Sequence, residues 1–410
     1  MSQRAPMITL DEAMARLADG ALSHRIQQTE TIASFDALGR VLAAPVVSPL
    51  FVPPEDNSSM DGYALRAADV PAAGTVLPVS QRIPAGHPGQ PLAPGSAARI
   101  FTGAQVPAAA DAIVMQEQCE AVPGEGLGSV RVDVLPQAGH WIRRRGEDVM
   151  AGSVVLNAGA RLTPQALGLV ATVGAAQVQV LRRPRVALFS TGDELVMPGQ
   201  PLPPGAIYNS NRYTLRALLQ AAGCEVTDLG IVPDTLEATR DTLRRAAAGN
   251  DLILTSGGVS VGEEDHIRPA VTAEGEVQMW QVAMKPGKPL AFGRVGTAAF
   301  MGLPGNPVSS FITFLLAVAP VLRVMQGMPA GLPAALHLRA AFAWPKPDKR
   351  REFMRARLNA LGELELFPNQ SSGVMTSAVW ADGLVDNPAS QAVTPGDTVR
   401  FLPLSELIHR

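Results

Sequence analysis

Beyond Pro184 the chain alternates short apolar runs with segments whose apolar residues recur every three or four positions. Residues 185–190 (Arg-Val-Ala-Leu-Phe-Ser) read as a buried strand that empties into Thr191-Gly192-Asp193-Glu194-Leu195. After Asn211, Leu215, Leu218, Leu219 and Ala222 share one face of a helix that Gly223 closes. A strand is predicted over 225–232, a helix over 236–248 and a strand over 251–256. Shorter strands fit 277–282, 290–294 and 298–302. Leu303-Pro304-Gly305-Asn306-Pro307 then opens a long apolar helix through Met325. Strands and helices in alternation predict a doubly wound α/β domain, and such domains bind ligands outside the carboxyl ends of their strands. The Gly-Asp-Glu turn, the glycine-rich turn after Ser256 and the Leu-Pro-Gly-Asn-Pro turn should therefore gather on one edge.

The flanking sequence has other periods. Leu10, Met14 and Leu17 lie at helical spacing behind Thr9, and a helix over 164–173 should be capped by Thr163. Residues 51–145 are rich in Pro, Gly and Ala with short Val-rich runs, a pattern for small irregular β structure. Past Gly331, strand-like runs at 336–344, 353–358, 363–367 and 398–401 predict a C-terminal β-barrel or sandwich. The expected division is a linking domain from 1–50 with 146–183, an inserted β-rich domain over 51–145, an α/β domain over 184–328 and a C-terminal β-barrel over 329–410.

Composition narrows the class. A chain of 410 residues exceeds what one core ordinarily covers. The net charge of −3 and the absence of a clustered basic excess point away from nucleic acid. No run reaches the ~18 apolar residues of a membrane span, the best candidate being interrupted by Pro320 and Arg323. Asp11 and Glu12 stand where a secretory leader would be apolar. Cys119 and Cys224 are far apart and lack metal-ligand spacing. A cytoplasmic protein without membrane or structural zinc is the expectation. Of 34 basic residues only Lys285, Lys288, Lys346 and Lys349 are lysines, and two of them flank Pro286-Gly287. A lysine is a compact point charge that suits a small oxyanion, although Lys346 and Lys349 form a similar pair in Pro-rich surface sequence.

The candidate chemistry lies in the turns. In Thr255-Ser256-Gly257-Gly258-Val259-Ser260-Val261-Gly262, small residues let backbone amides face one concave space, the usual way to hold phosphate; a plain glycine turn has the same composition. Glu263, Glu264 and Asp265 follow, which fits a divalent cation or proton transfer. Asn306-Pro307 reads as a cap with proline at the first helical position, and places Ser309 in a turn whose amides favour an anion. Glu194, Asp234 and Asp265 each read alone as surface acids or caps. Gathered on one edge they would repel unless a cation or basic groups neutralised them. Asp56-Asn57-Ser58-Ser59-Met60-Asp61-Gly62-Tyr63-Ala64 is an unusually polar run and reads also as a double turn; Arg143-Arg144-Arg145-Gly146-Glu147-Asp148 reads also as a solvated charge run. Arg99-Ile100-Phe101-Thr102-Gly103-Ala104 is the third such segment.

In this order, those segments resemble the molybdopterin molybdenumtransferase family, known as MoeA and as the E domain of gephyrin. The resemblance covers about residues 50–310 and rests on 56–64, 99–104, 145–148, 190–195, 255–265, 285–289 and 302–308, with Arg351-Glu352-Phe353 and Gln370-Ser371-Ser372-Gly373 as C-terminal fragments. Glu55 departs from it, standing where the family more often has an aromatic residue. The resemblance implies an elongated four-part subunit that dimerises, with the active cleft between the α/β domain of one subunit and the Asp61-bearing domain of the other. It implies Mg²⁺-dependent release of AMP from adenylylated molybdopterin with insertion of molybdate. Asp61, Thr102, Asp148, Glu194, Asp234, Asp265, Lys285 and Lys288 carry over as catalytic positions, with Glu194, Asp234 and Asp265 on the metal. Gly257, Gly258, Ser260, Gly262, Pro304, Gly305, Asn306, Pro307 and Ser309 are the expected substrate cradle, closed by Arg351 and Ser372. Lys285 and Lys288 would hold the molybdate dianion. Partners implied are a second copy and other cofactor-assembly proteins, a molybdopterin adenylyltransferase among them. An adenylyltransferase-like enzyme and a non-catalytic molybdopterin-binding scaffold are the alternative functions.

Overall fold

The computed structural model describes residues 7–258 and 266–409. Ser260, Gly262 and Asp265 lie outside the described residues, as do Glu263 and Glu264. The chain divides into two compact units, Met1–Glu30 with Leu181–Arg410, and Thr31–Val180.

The first unit is built on a seven-stranded sheet. Its strands are β1 (Met7–Ile8), β2 (Arg185–Thr191), β3 (Glu225–Val232), β4 (Leu252–Ser256), β5 (Gly275–Val282), β6 (Pro289–Val295) and β7 (Ala298–Leu303), in the spatial order β1-β5-β6-β7-β4-β2-β3. β3, β2, β4 and β7 are mutually parallel, β6 alone returns antiparallel to them, and β5, antiparallel to β6, again runs with the parallel set. Side chains alternate across the strands as the period of two demands. Val186, Leu188, Leu252 and Leu254 join the core beneath α1 (Leu10–Leu22), α2 (Ser210–Ala221) and α5 (Pro307–Met325). Ala187, Phe189, Ile253 and Phe300 face α3 (Leu236–Ala247) and α4 (Ile267–Glu274). Helices thus cover both faces, as the doubly wound reading required.

One helix start departs from expectation, and one helix differs in character. α2 begins at Ser210, because Asn209 caps it by accepting from the Arg212 amide at 3.1 Å. α5 is long and apolar enough to span a bilayer by length and composition, which its proline and arginine had argued against. Yet 94% of its apolar window is buried inside the unit, so it is a core helix. Pro320 does not break it: Phe314–Val318 widens to a π-turn just ahead of the proline, where an α-turn would have needed the missing N–H.

The C-terminal part of this unit is a six-stranded sheet. Met284–Lys285, Arg351–Leu358, Gly383–Asn387, Thr398–Pro403 and Leu336–Arg339 pair in that order, and Leu364–Leu366 pairs with Arg351–Leu358. A bridge from Ala340 to Leu364 joins the ends and closes the sheet around Met354, Ala356, Val385, Val399 and Phe401. The strand Gly383–Asn387 and the helix Met375–Trp380 escaped the sequence reading. Asp386 and Asn387 are polar but fully buried, so no apolar run marked the strand.

The second unit carries a six-stranded sheet ordered Ala112–Met115, Gly62–Leu65, Ala97–Ile100, Thr75–Ile83, Ser129–Val132 and Cys119–Val122. A separate core packs the helix Pro164–Thr172, capped by Thr163 as predicted, against Leu42, Leu162, Val178 and Val180. Gly62 opens a strand here and is not a turn residue: a Cβ there would stand 1.9 Å from the Val114 carbonyl oxygen.

Candidate active site

The parallel strands β2, β4 and β7 end side by side, with Ser190 opposite Ser256 and Ser256 opposite Leu303. Because β5 and β6 run antiparallel, the connection between them turns at that same edge and delivers Lys285 and Lys288 to it. A cavity of about 750 Å³ opens there. The three turns singled out from sequence do converge: Glu194, Gly257 and the Pro304–Pro307 turn all line it.

The middle of the cavity is backbone. Gly257 and Gly258 have φ of +90° and +63°, the left-handed region that glycine tolerates. The Gly257 amide donates to the Leu303 carbonyl at 3.1 Å, and a Cβ on Gly257 would lie 2.8 Å from the Thr191 carbonyl oxygen. Asn211, inside α2 rather than ahead of it, donates to the Gly305 carbonyl at 2.7 Å and fixes the turn into α5. Asn306 occupies the N-cap position with no side-chain cap bond. Pro307 has no N–H and the Val308 amide donates to the Ser372 carbonyl at 2.9 Å. Ser309, which lines the cavity, is then the first helical residue able to offer both an amide and a hydroxyl to a ligand. Asn211→Ala is expected to lower stability by about 1 kcal/mol and to weaken binding of a phosphate-bearing ligand several-fold; urea unfolding and titration calorimetry check the two effects.

One end of the cavity is cationic. Lys285 Nζ lies 3.2 Å from Glu352 Oε1 and 3.5 Å from Asp348 Oδ2. Glu352 is buried and also accepts from the Trp344 indole at 2.8 Å and the Asp348 amide at 3.1 Å. Arg350 grips Asp348 with two bonds of 2.9 and 2.8 Å, and holds that carboxyl far below the usual carboxylate range. The Lys288 carbonyl accepts from the Val282 amide at 2.7 Å, but its ammonium has no ion pair or hydrogen bond with any other described residue. Ser372 is at this cavity, but Arg351 is not among the residues lining it. Its guanidinium is committed to Asp386 at 2.6 and 2.7 Å and to Asp11 at 3.0 Å, and the neighbouring Arg350 reaches the cavity instead. Nothing in the Arg350-Arg351 pair of the sequence distinguishes which residue faces inward; strand alternation decides it.

The other end carries Glu194. A Cβ on Gly192, whose φ is +144°, would stand 2.5 Å from Glu194 Oε2, so glycine is what lets this carboxylate fold back over the turn. Asp234, just past β3, donates its amide to Asp193 Oδ1 at 3.2 Å and does not line the cavity. Among the described residues no group of three His, Cys, Asp or Glu side chains could by itself hold a metal ion. Magnesium commonly takes one or two carboxylates and completes its shell with substrate phosphates and water, so Glu194 suits such an ion as one oxygen donor. Tyr208, Asn209 and Arg350 also line the cavity and were missed from sequence; the run Asn209-Ser210-Asn211 at a strand-to-helix turn was the available signal.

In the second unit the structure joins Asp61 to Thr102. Asp61 Oδ1 accepts from the Thr102 amide at 2.8 Å and its hydroxyl at 2.9 Å, and these bonds hold the carboxyl below the usual range. Asp56 accepts from the Arg145 amide at 2.8 Å and from Arg144 Nη1 at 2.6 Å, which ties the first polar run to the arginine run. Asp148 is exposed just beyond that turn, and its amide donates to the Val52 carbonyl at 3.0 Å.

Three family models match the chain in succession: the MoeA N-terminal region (domain I and II) over residues 8–174, a probable molybdopterin binding domain over 187–324, and the MoeA C-terminal region (domain IV) over 337–404. A molybdopterin molybdenumtransferase of Haemophilus influenzae is 39% identical, covering 98% of this chain and 100% of that protein. One from Bacillus subtilis is 34% identical over 99% and 96%. Among solved structures, a molybdopterin biosynthesis MoeA protein from Pyrococcus horikoshii superposes with a TM-score of 0.81 at 27% identity, covering 97% of this chain and 99% of that one.

Proposed function

Because the chain belongs to the molybdopterin molybdenumtransferase family, we propose that this transferase inserts molybdate into adenylylated molybdopterin and releases AMP, in molybdenum cofactor biosynthesis. The observation that carries the proposal is the convergence, at one strand edge, of a glycine cradle, a helix start and an uncommitted lysine in a single cavity. The Gly258 amide, with the Pro304-Gly305-Asn306-Pro307 turn and Ser309, binds the pterin phosphate beside Gly257, whose own amide is held by the Leu303 carbonyl. Lys288 supplies charge-assisted hydrogen bonds to the molybdate dianion, with Lys285, Arg350 and Ser372 around it. Glu194 would hold Mg²⁺, and Asp234, outside the cavity lining, and Asp265 are assigned to the same ion. Bound there, the cation neutralises charge on a cleaving phosphoanhydride. Ser260 and Gly262 belong to the same proposed cradle.

The reading includes a homodimer, a cytoplasmic location and handover of substrate from a molybdopterin adenylyltransferase. It gives Asp61, Thr102 and Asp148 catalytic roles. The test is AMP release from adenylylated molybdopterin with molybdate and Mg²⁺, repeated on mixtures of Asp61→Ala and Lys288→Ala proteins. Each variant alone should be inactive. If Asp61 of one subunit serves Lys288 of the other, random re-pairing restores roughly a quarter of the parent rate. No restoration contradicts a shared site, and no AMP release by the parent contradicts the function. Consumption of ATP with adenylation of molybdopterin would instead establish the adenylyltransferase alternative.

A further inference from the structure

Arg355 is the largest fully buried side chain among the described residues, with 1% exposure, and it has no acidic partner. Its guanidinium donates only to neutral oxygens: Nε to Ser377 Oγ at 3.0 Å, Nη1 to the Phe353 carbonyl at 3.2 Å and Nη2 to the Ser371 carbonyl at 3.2 Å. Arg351 and Arg212 of this unit are by contrast neutralised, by Asp386 and by Asp228. Burial alone pulls the Arg355 pKa down to about 10, which leaves it charged at neutral pH. A lone cation held out of water is unfavourable unless its field is used.

What it touches is the wall of the cavity. Ser371 and Ser372 both line that wall. Gln370 is locked to the Arg355 backbone by two bonds, accepting from its amide at 2.9 Å and donating to its carbonyl at 3.0 Å. The Ser372 carbonyl is held by the first amide of α5. A trans peptide points its N–H opposite its C=O. With the Ser371 carbonyl bound to the guanidinium, the Ser372 N–H of the same peptide is turned away from Arg355, and no described residue accepts from it. A cation on the carbonyl also polarises that N–H into a stronger donor.

We propose that Arg355 is a positioning residue of the oxyanion site, fixing and polarising the Ser371–Ser372 peptide so that its N–H and the buried charge behind it favour a tetrahedral dianion. This rests on the proposed function, which puts an oxyanion in the cavity. The side-chain set around that wall then sums to four cations, Lys285, Lys288, Arg350 and Arg355, against Asp348 and Glu352, a balance of two positive charges that matches molybdate or tungstate.

The experiment measures tungstate affinity by titration calorimetry, thermal unfolding, and the molybdate KM and kcat of the parent, Arg355→Gln and Arg355→Lys. The glutamine variant should bind tungstate about tenfold more weakly, with KM raised and kcat at saturating molybdate kept, while lysine restores affinity to within about threefold. Glutamine and parent binding alike, or glutamine and lysine variants losing affinity equally in step with stability, overturns the inference. If the glutamine variant fails to fold, the lysine variant decides: affinity within about threefold upholds it, and a tenfold loss at unchanged unfolding temperature overturns it. A parent that binds no tungstate removes the oxyanion reading and this inference together; a parent that binds while Arg355→Gln binds equally removes this inference alone.

Discussion

Lys288→Ala is expected to weaken molybdate or tungstate binding about 100-fold while leaving the unfolding temperature where it was. The two lysines of Met284-Lys285-Pro286-Gly287-Lys288 look equivalent in sequence, and the structure separates them. Lys285 sits on a short strand paired with Arg351 and Glu352, and its ammonium satisfies a buried carboxylate. Lys288 sits at the cavity without a carboxylate partner, so its whole charge is available to a ligand. Removing its ammonium breaks no ion pair or hydrogen bond with a described residue. Lys285→Ala should behave in the opposite way. Glu352, 2% exposed, would keep the Trp344 and Asp348 donors and lose its counter-charge, at a cost of about 1–3 kcal/mol. Calorimetric binding and thermal melts on both variants make the comparison. Equal binding losses, or a destabilised Lys288→Ala, would reverse the assignment of roles.

Gly257→Ala should cost at least about 30-fold in binding of adenylylated molybdopterin, with a stability loss of about 1–3 kcal/mol. A side chain there meets two obstacles at once. The φ of +90° is one that L-residues avoid, and the new Cβ would press on the Thr191 carbonyl oxygen at 2.8 Å. Relief requires the end of β4 to move away from β2, which strains the Gly257 amide's bond to the Leu303 carbonyl and shifts the Gly257–Gly258 turn away from Gly305. A neutral pterin lacking the phosphate should bind the variant and the parent nearly alike. If the phosphorylated ligand binds the variant as well as it binds the parent, the cradle is not the phosphate site.

The α/β half of the first unit was legible because its strands are buried on both faces and its helices on one. Continuous apolar runs therefore named 185–190 and 298–302 closely, while 225–232, a partly exposed edge strand, was marked by apolar and polar residues in mixture. Legibility failed where polar groups are buried in pairs. Asp386 draws Arg351 and Arg400 into a strand that no hydropathy pattern marks. The same bond removes Arg351 from the cavity and leaves Arg350 there, a choice made by side-chain alternation along one strand. Asn211 reads from sequence as the residue ahead of α2, and Asn209 was missed. Which one caps α2 and which one pins Gly305 depends on a contact 94 residues away in sequence. Arg355 carried no sequence signal, because a buried lone cation reads as a surface residue until its surroundings are known.

The central claim is that the edge shared by β2, β4, β7 and the Lys285–Lys288 turn is an oxyanion and pterin-phosphate site. Tungstate-soaked crystals measured at the tungsten absorption edge test it most directly. The account predicts an anomalous peak within hydrogen-bond reach of Lys288, beside Ser309 and Ser372, that disappears in Lys288→Ala. A peak seated elsewhere, or one at this cavity that persists without Lys288, would contradict it.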